Sequence, residues 1–415
     1  MKVLWVVNMV MPKLAENLGI QTSASGSWLI DFSDSLENSE NHELAIVAVH
    51  GKTFLRKKIG RTEFFLLPGS IKNMRFYTES YKIYWKKIIE NFKPDIIQIY
   101  GTEYTHAISL IRLNLSIPIL VTTQGIMSKI KKYDFAGISI KDFLFNKKSY
   151  RKNNEIILHL MRCLSAKYEN EMIKNVRYIT CDTLWAKSCC LEINPSAKIY
   201  NLNFNLRKEF YESTKWSYEK IQKFNIFTNP GNLPLKGLHK LIEAIHFIKE
   251  FGYINIHLVV PSKVVDSVYG TIINDLIKKY NLETNIEFKG RLDSANMVEE
   301  MLKSHIVVVP SAIEGSSMIL HEAMYLGVPV IATCRGGMID FIEDGKDGFI
   351  YDFEESQYLA MRIIELFENK ELCEKLSKNA IKKSESAHKR KFNFENCLKI
   401  YEEVIKLEHK SGEMK

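Results

Sequence analysis

The chain of 415 residues is 46% hydrophobic and 26% charged, with a formal net charge of +8. This length suits two domains rather than one, and the apolar fraction argues against disorder. No apolar run approaches the ~18 residues that span a bilayer, and residues 3–7 form too short a run for a signal-peptide core. The sequence therefore predicts a cytoplasmic protein.

Short apolar runs alternate with amphipathic stretches along the first half of the chain. We predict strands at residues 3–7, 44–49, 96–99, 117–121 and 178–180, and helices at 28–36, 81–89, 105–113 and 156–172. Such alternation predicts a parallel sheet with helices on both faces. The periodicity weakens at residues 200–220, so the first domain is predicted to cover residues 1–205.

The alternation restarts after this boundary. Further strands are predicted at residues 226–228, 256–260, 286–288, 306–309 and 328–332. The second domain is predicted to cover residues 206–390, and a last helix at 391–415 to pack back on the first domain. The fold class is thus α/β, with two Rossmann-like doubly wound domains facing across a cleft. Ligands of such sheets bind beyond the carboxyl ends of the strands.

The most informative segment, residues 310–337, reads PSAIEGSSMILHEAMYLGVPVIATCRGG. A helix is predicted to begin near Ser316 or Ser317, because serine is a good N-cap residue. The amides of Ser317, Met318 and Ile319 then fall in the first helical turn and lack intrahelical partners. Together with the helix dipole they form a site for a phosphate.

Two carboxylates complete this segment. Glu322 lies further along the same helix and can accept hydrogen bonds from the two adjacent hydroxyls of a ribose. Glu314, which precedes Gly315 in the loop, lies where the sugar half of a nucleotide-sugar would reach.

This segment resembles the signature of the retaining glycosyltransferases of family 4, which have the GT-B architecture. The resemblance covers most of the chain and is strongest at residues 226–352. It implies that Glu322 holds the ribose of a UDP- or GDP-linked sugar and that Glu314 contacts the sugar near the reacting centre. The family is found in the synthesis of capsule, exopolysaccharide and O-antigen, with saccharide or lipid-linked saccharide acceptors.

A second part of the donor site is predicted at residues 229–238, NPGNLPLKGL. Lys236 directly precedes a helix and can neutralise a pyrophosphate with help from the helix amino terminus. The family has a lysine here, usually with an arginine some residues earlier. This sequence has no arginine between positions 207 and 291, so Asn229 or Asn232 is expected to substitute.

Two further loops resemble parts of the family's donor site. Gly290, Arg291 and Leu292 follow a predicted strand, where backbone groups would meet the base. Gly26 precedes the first long helix, where the family's glycines let amides approach the donor phosphate. A plain turn remains the alternative for Gly26.

Polar residues also follow strands of the first domain. Gln124 occupies the place where many relatives have a histidine that touches the donor sugar. Glutamine can hydrogen-bond a hydroxyl but cannot act as a base near neutral pH. Glu103 can orient an acceptor hydroxyl, with capping of the following helix as the alternative.

Residues 129–152 contain eight basic and two acidic residues with interleaved aromatic residues. This pattern suits an anionic membrane surface, such as the inner face of the plasma membrane, or a phosphorylated lipid acceptor. The alternative is an ordinary solvated loop. No nucleic-acid-binding motif accompanies the positive charge.

The reaction expected from the resemblance is a same-face substitution with retention, in which Glu314 and Lys236 are the catalytic residues. No Asp-x-Asp pattern and no zinc spacing around the seven cysteines occurs, so we expect neither a metal nor another cofactor. A nucleotide-sugar epimerase and a non-catalytic GT-B sugar-binding protein are the alternatives.

Overall fold

The computed structural model describes residues 1–20, 28–70, 73–144, 155–218 and 223–413. The strands are β1 (Lys2–Val6), β2 (Glu43–Val49), β3 (Leu55–Ile59), β4 (Thr62–Leu67), β5 (Ile96–Tyr100), β6 (Ile119–Thr122), β7 (Tyr178–Cys181), β8 (Lys198–Asn201), β9 (Phe224–Phe227), β10 (Ile256–Val260), β11 (Ile286–Phe288), β12 (Ile306–Val309), β13 (Val330–Thr333) and β14 (Phe349–Tyr351). They form two sheets.

The α-helices are α1 (Pro12–Leu18), α2 (Trp28–Glu37), α3 (Tyr81–Phe92), α4 (Ile108–Ile111), α5 (Met127–Ile130), α6 (Ile140–Leu144), α7 (Glu155–Lys174), α8 (Leu184–Ile193), α9 (Lys208–Glu212), α10 (Leu238–Glu250), α11 (Val268–Lys279), α12 (Ser294–Leu302), α13 (Met318–Leu326), α14 (Ser356–Glu368), α15 (Lys370–Ala387) and α16 (Arg390–Glu413). Within the described ranges, every helix is too short or too polar to cross a membrane.

The first unit comprises residues 1–129, 161–205 and 388–415. Its sheet has the strand order β3-β4-β2-β1-β5-β6-β7-β8. All neighbouring strands are parallel except β3 and β4, which form an antiparallel pair. β1 lies between β2 and β5, and its Val3 pairs with Leu44 on one side and Ile96 on the other.

Apolar cores cover both faces of this sheet, because successive strand residues point to opposite faces. Leu4 packs in one core with Trp85 of α3, and Trp5 packs in the other with Tyr401 of α16. Trp5 Nε1 donates a hydrogen bond to the Tyr401 hydroxyl at 3.1 Å, and that hydroxyl donates to Gln98 Oε1 of β5. The last helix of the chain is therefore part of the first unit.

The second unit comprises residues 130–160 and 206–387. Its sheet has the order β11-β10-β9-β12-β13-β14, and all its strands are parallel. β9 lies between β10 and β12, so that Ile226 pairs with Leu258 and with Ile306. β12 is completely buried, as its run of four apolar residues predicts for an inner parallel strand.

The units of the structure differ from the predicted domains in two places. Residues 130–160 were assigned to the first domain, but they pack with the second unit. Tyr269 N donates to Glu155 Oε1 at 3.0 Å, and the Arg335 guanidinium lies 5.7 Å from the centre of the Tyr133 ring. These contacts join residues far apart in the sequence, which local periodicity does not reveal. The second unit also ends at residue 387 rather than 390.

Several elements escape the sequence prediction. β3 and β8 are edge strands with alternating or polar patterns, and β14 has only three residues. The helix predicted at residues 105–113 is in fact the four-residue α4. All seven cysteines are free thiols.

Candidate functional site

Both sheets have a switch point, where the connections that leave two neighbouring parallel strands lead to opposite sides of the sheet. In the second unit it lies between β9 and β12, and in the first between β1 and β5. Loops that leave the carboxyl ends of such strands separate and open a crevice. Half of the predicted site residues are in these loops.

The loop after β9 carries Lys236 at the end of a 3₁₀ turn, Pro234–Lys236. Gly237 follows with φ +73°, and a Cβ there would lie 1.8 Å from the Pro310 carbonyl oxygen. Only glycine allows this contact and this backbone conformation. The Ala312 amide also donates to the Leu235 carbonyl at 2.7 Å. The Lys236 loop is thereby fixed against the loop that follows β12.

The structure brings Lys236 and Glu314 together, although 77 residues separate them in the sequence. Lys236 Nζ lies 2.5 Å from Glu314 Oε1, and Ser311 Oγ donates to the same oxygen at 2.7 Å. The Glu314 carbonyl accepts a hydrogen bond from the Gly337 amide at 2.8 Å. The ammonium has three donors, so two remain after the contact with Glu314.

α13 begins one residue after Ser317, which is the N-cap, as the sequence predicts. The Ser317 side chain, however, makes no capping hydrogen bond, while Ser316 Oγ bonds with His321 Nε2 at 3.1 Å. Among the described residues, the amides of Ser317, Met318 and Ile319 have no hydrogen-bond acceptor. The predicted set of free donors is therefore present.

Glu322 has a partner that the sequence analysis missed. Arg207 Nε and Nη2 lie 2.6 and 2.7 Å from the two carboxylate oxygens of Glu322, which is 2% exposed. Arg207 Nη1 also donates to Ser294 Oγ at 3.1 Å. Burial raises the pKa of Glu322, and the adjacent guanidinium opposes part of this rise.

The bidentate pair changes what Glu322 can offer a ligand. Each carboxylate oxygen has a second lone pair, which can still accept a hydrogen bond. Contact with ribose hydroxyls stays a prediction. In the sequence, Arg207 is simply the last arginine before a stretch without arginine. No local pattern connects residues that are 115 positions apart.

The remaining predicted donor residues lie in loops at the same edge of the second sheet. Asn229 and Asn232 follow β9 and are exposed and half-buried, respectively. Gly290, Arg291 and Leu292 lie between β11 and α12. Their proposed contacts with a donor stay predictions. Gly26 lies outside the described residues.

In the first unit, Glu103 follows β5 and Gln124 follows β6, and both line a cavity of about 310 Å³. Asn8, from the loop after β1, donates to Glu103 Oε2 at 3.2 Å. Burial, together with the negative charge of nearby Glu169, raises the pKa of Glu103 to about 7. The alternative role of Glu103 as a helix cap is wrong, because the N-cap of α4 is Ala107.

The basic segment at 129–152 is described only as far as residue 144 and does not present all its aromatic rings to solvent. Phe143 is completely buried, and its ring packs 5.2 Å from that of Phe135. Lys129 forms an ion pair with Glu192 at 2.5 Å. The rest of the segment, with Lys147, Lys148, Arg151 and Lys152, lies outside the described residues.

No cluster of three His, Cys, Asp or Glu side chains that could hold a metal ion occurs in the described part of the chain. The chemistry offered at the second switch point is that of a cation, a carboxylate and backbone amides. The first-unit cavity offers a carboxyl that titrates near neutral pH.

Comparison with known proteins gives these sites a context. Residues 211–383 match the family model described as Glycosyl transferases group 1. An uncharacterized glycosyltransferase of Methanocaldococcus jannaschii is 28% identical over 373 residues, which cover 89% of this chain and 88% of that protein. A Salmonella typhimurium protein named as a colanic acid biosynthesis glycosyltransferase is 29% identical over 136 residues, 31% of this chain and 32% of its own length.

Solved structures agree over nearly the whole chain. Sucrose-phosphate synthase of Thermosynechococcus elongatus has a TM-score of 0.74 at 13% identity, covering 98% of this chain and 100% of its own. The HepE protein of Anabaena, solved in complex with UDP-glucose, has a TM-score of 0.66 at 15% identity, covering 97% and 100%. The fold is GT-B, as the resemblance implied, and the findings together support a glycosyltransferase.

Proposed function

We propose that this GT-B glycosyltransferase moves a hexosyl group from a UDP- or GDP-linked donor to a saccharide or lipid-linked saccharide, with retention of configuration. The observation that carries the proposal is the arrangement at the second-unit switch point. There Lys236, from the loop after β9, pairs with Glu314, from the loop after β12. The free amides of α13 follow the same β12 loop. The name of the Salmonella relative supports a role in polysaccharide synthesis.

The proposed reaction is a same-face substitution at the anomeric carbon. The bond from this carbon to the leaving phosphate oxygen breaks, while the acceptor oxygen bonds to the same face. The acceptor's proton passes to the leaving phosphate oxygen. Lys236 and the amides of Ser317, Met318 and Ile319 stabilise the charge that develops on the diphosphate, so the reaction needs no metal.

Glu314 is proposed to accept hydrogen bonds from the donor sugar and to hold Lys236 in place. Glu322 is proposed to accept from the ribose through its remaining lone pairs, with Arg207 fixing its orientation. Glu103 and Gln124 are proposed to contact acceptor and donor sugar hydroxyls, respectively. Near pH 7 a carboxyl such as Glu103 is partly protonated, so it can either donate or accept.

A panel of UDP- and GDP-sugars tests this function through the slow release of nucleoside diphosphate, with EDTA present. We expect one donor to turn over at the same rate with and without EDTA. Lys236→Gln should slow this release, since a neutral amide cannot stabilise the leaving diphosphate. Lys346→Gln is the matched control, because Lys346 is exposed and forms its ion pair with Glu343, away from the switch point.

Two results would contradict the proposed function. Turnover that EDTA abolishes would overturn the metal-independent reaction. A chain that binds a nucleotide-sugar but never releases the diphosphate, even with candidate acceptors, would support a non-catalytic sugar-binding protein instead.

We also propose that the second unit contacts an anionic membrane surface close to the basic segment. Four large aliphatic side chains lie there, on α6 and α7, and each is at least 51% exposed: Ile140, Leu144, Ile157 and Leu160. α6 and α7 pack on a common ring, because Phe135 contacts both Phe143 and His159. Exposed aliphatic residues beside a basic segment suit the boundary between headgroups and acyl chains.

Co-sedimentation with vesicles measures this contact. We expect binding to phosphatidylglycerol vesicles, weaker binding to phosphatidylcholine vesicles, and loss of binding at high salt. The double variant Ile157→Ser, Leu160→Ser should bind less, whereas Ile83→Ser, which changes a residue of α3 that is even more exposed, should not. Equal binding to both lipids would refute the proposal.

A further inference from the structure

The first-unit cavity has a charge pattern that the proposed function does not yet use. It is lined by Glu103 and Gln124 from the ends of β5 and β6, and by two guanidinium groups, those of Arg75 and Arg162. Arg75 ends a 3₁₀ turn after β4, and Arg162 lies on α7. The two cations thus reach one cavity from separate elements.

Arg75 is available to a ligand. Its guanidinium lies 5.5 Å from the centre of the Tyr104 ring, and it has no carboxylate partner among the described residues. Tyr104 also lines the cavity. An arginine stacked on a ring keeps its N–H donors at the edge of the guanidinium plane, where they can meet oxygen atoms.

Glu103 does not cancel this positive charge. Its carboxyl accepts a hydrogen bond from the neutral amide of Asn8. Arginine remains protonated at any ordinary pH, and two guanidinium groups line the cavity beside this one carboxyl. At about 310 Å³ it is at the small end of ligand sites.

We propose that this cavity binds an acceptor that carries an anionic group, a phosphate or a carboxylate, held by Arg75 and Arg162. Planar guanidinium groups match the paired oxygens of such anions in two-point contacts. The hydroxyl that receives the sugar faces Glu103 on the strand side of the cavity. This inference rests on the proposed function and names the chemical class of its acceptor.

Isothermal titration of the full chain with glycerol 3-phosphate tests the proposal, with glycerol as the neutral probe. Saturating UDP is present throughout, so that phosphate contacts at Lys236 do not contribute. We expect the phosphate ester to bind and glycerol not to bind. Arg75→Gln and Arg162→Gln should each weaken binding at least tenfold, while Arg75→Lys keeps part of it.

Arg61→Gln is the matched control, because Arg61 is exposed outside the cavity and its guanidinium donates to the Glu40 carbonyl. Thermal melts of all variants identify any that fail to fold. Vesicle binding distinguishes the two sources of the anion. If Arg75→Gln also weakens binding to phosphatidylglycerol vesicles, the acceptor is a lipid headgroup. If vesicle binding is unchanged, the acceptor is a soluble ester.

Binding of glycerol 3-phosphate that is indifferent to both arginine substitutions would overturn the proposal, as would equal binding of glycerol. These outcomes do not depend on donor turnover. Release of nucleoside diphosphate with no anion binding would leave the glycosyltransferase function standing and remove only this inference.

Discussion

The two switch points place carboxylates at equivalent positions but surround them differently. In the second unit, Glu314 holds Lys236 and Glu322 holds Arg207, so each negative charge has a cation in contact. In the first unit, the carboxyl of Glu103 accepts a hydrogen bond from the neutral Asn8 amide, and its pKa rises to about 7. The same strand topology thus supports one site with compensated charges and one whose charge changes near neutral pH.

Breaking the buried pair should have the largest effect. Arg207→Met leaves the Glu322 carboxylate buried without a cation, and we expect the free energy of unfolding to fall by about 3–5 kcal/mol. Urea denaturation measures this loss. Arg335→Met is the control, because its partner Asp352 is 44% exposed, and its loss should stay below about 1 kcal/mol. Equal effects in the two variants would contradict the comparison.

Neutralising the other carboxylate of the second unit should affect turnover rather than stability. Glu314→Gln keeps the shape of the side chain but removes the charge that fixes Lys236. We expect the rate of donor hydrolysis to fall about 100-fold, equivalent to about 2.7 kcal/mol, with an unchanged melting temperature. Glu343→Gln, at an exposed pair, should retain the wild-type rate. A near-normal rate for Glu314→Gln would remove Glu314 from the reaction.

Glu103 in the first unit should make the free energy of unfolding depend on pH. The pKa of Glu103 is raised to about 7 from its ordinary 4.5, so the folded state holds a proton that the unfolded state releases. Stability from this residue is present below pH 4.5 and is lost as the pH rises to 7. At about 1.4 kcal/mol per unit, reduced by access of water to the cavity, the loss should be roughly 2 kcal/mol.

Glu103→Gln carries no ionisable group at this position and should remove this part of the pH dependence. Between pH 5 and 8 the stability of the variant should therefore rise relative to that of the wild type. Chemical denaturation at each pH measures it. Glu63→Gln, at an ion pair on β4 away from the cavity, serves as control. Parallel pH profiles for wild type and Glu103→Gln would show that the cavity leaves this carboxyl with an ordinary pKa.

Local sequence patterns predicted the elements and loops better than the partners. Apolar runs located the inner strands except β4, and the segment around Ser317 predicted the free amides of α13, because these features depend on neighbouring residues. The pair of Arg207 and Glu322 and the convergence of Asn8, Arg75 and Arg162 on one cavity depend on tertiary packing. The placement of residues 130–160 with the second unit was missed for the same reason.

The position of α16 has a consequence for the order in which the chain folds. Cys397, Ile400, Tyr401 and Val404 belong to one of the two cores of the first unit, yet they follow the second unit in the chain. Every residue of the second unit, which ends at 387, is therefore synthesised before them. Although domains generally fold in order from the amino terminus, here the first unit cannot complete its core until the second unit has been synthesised.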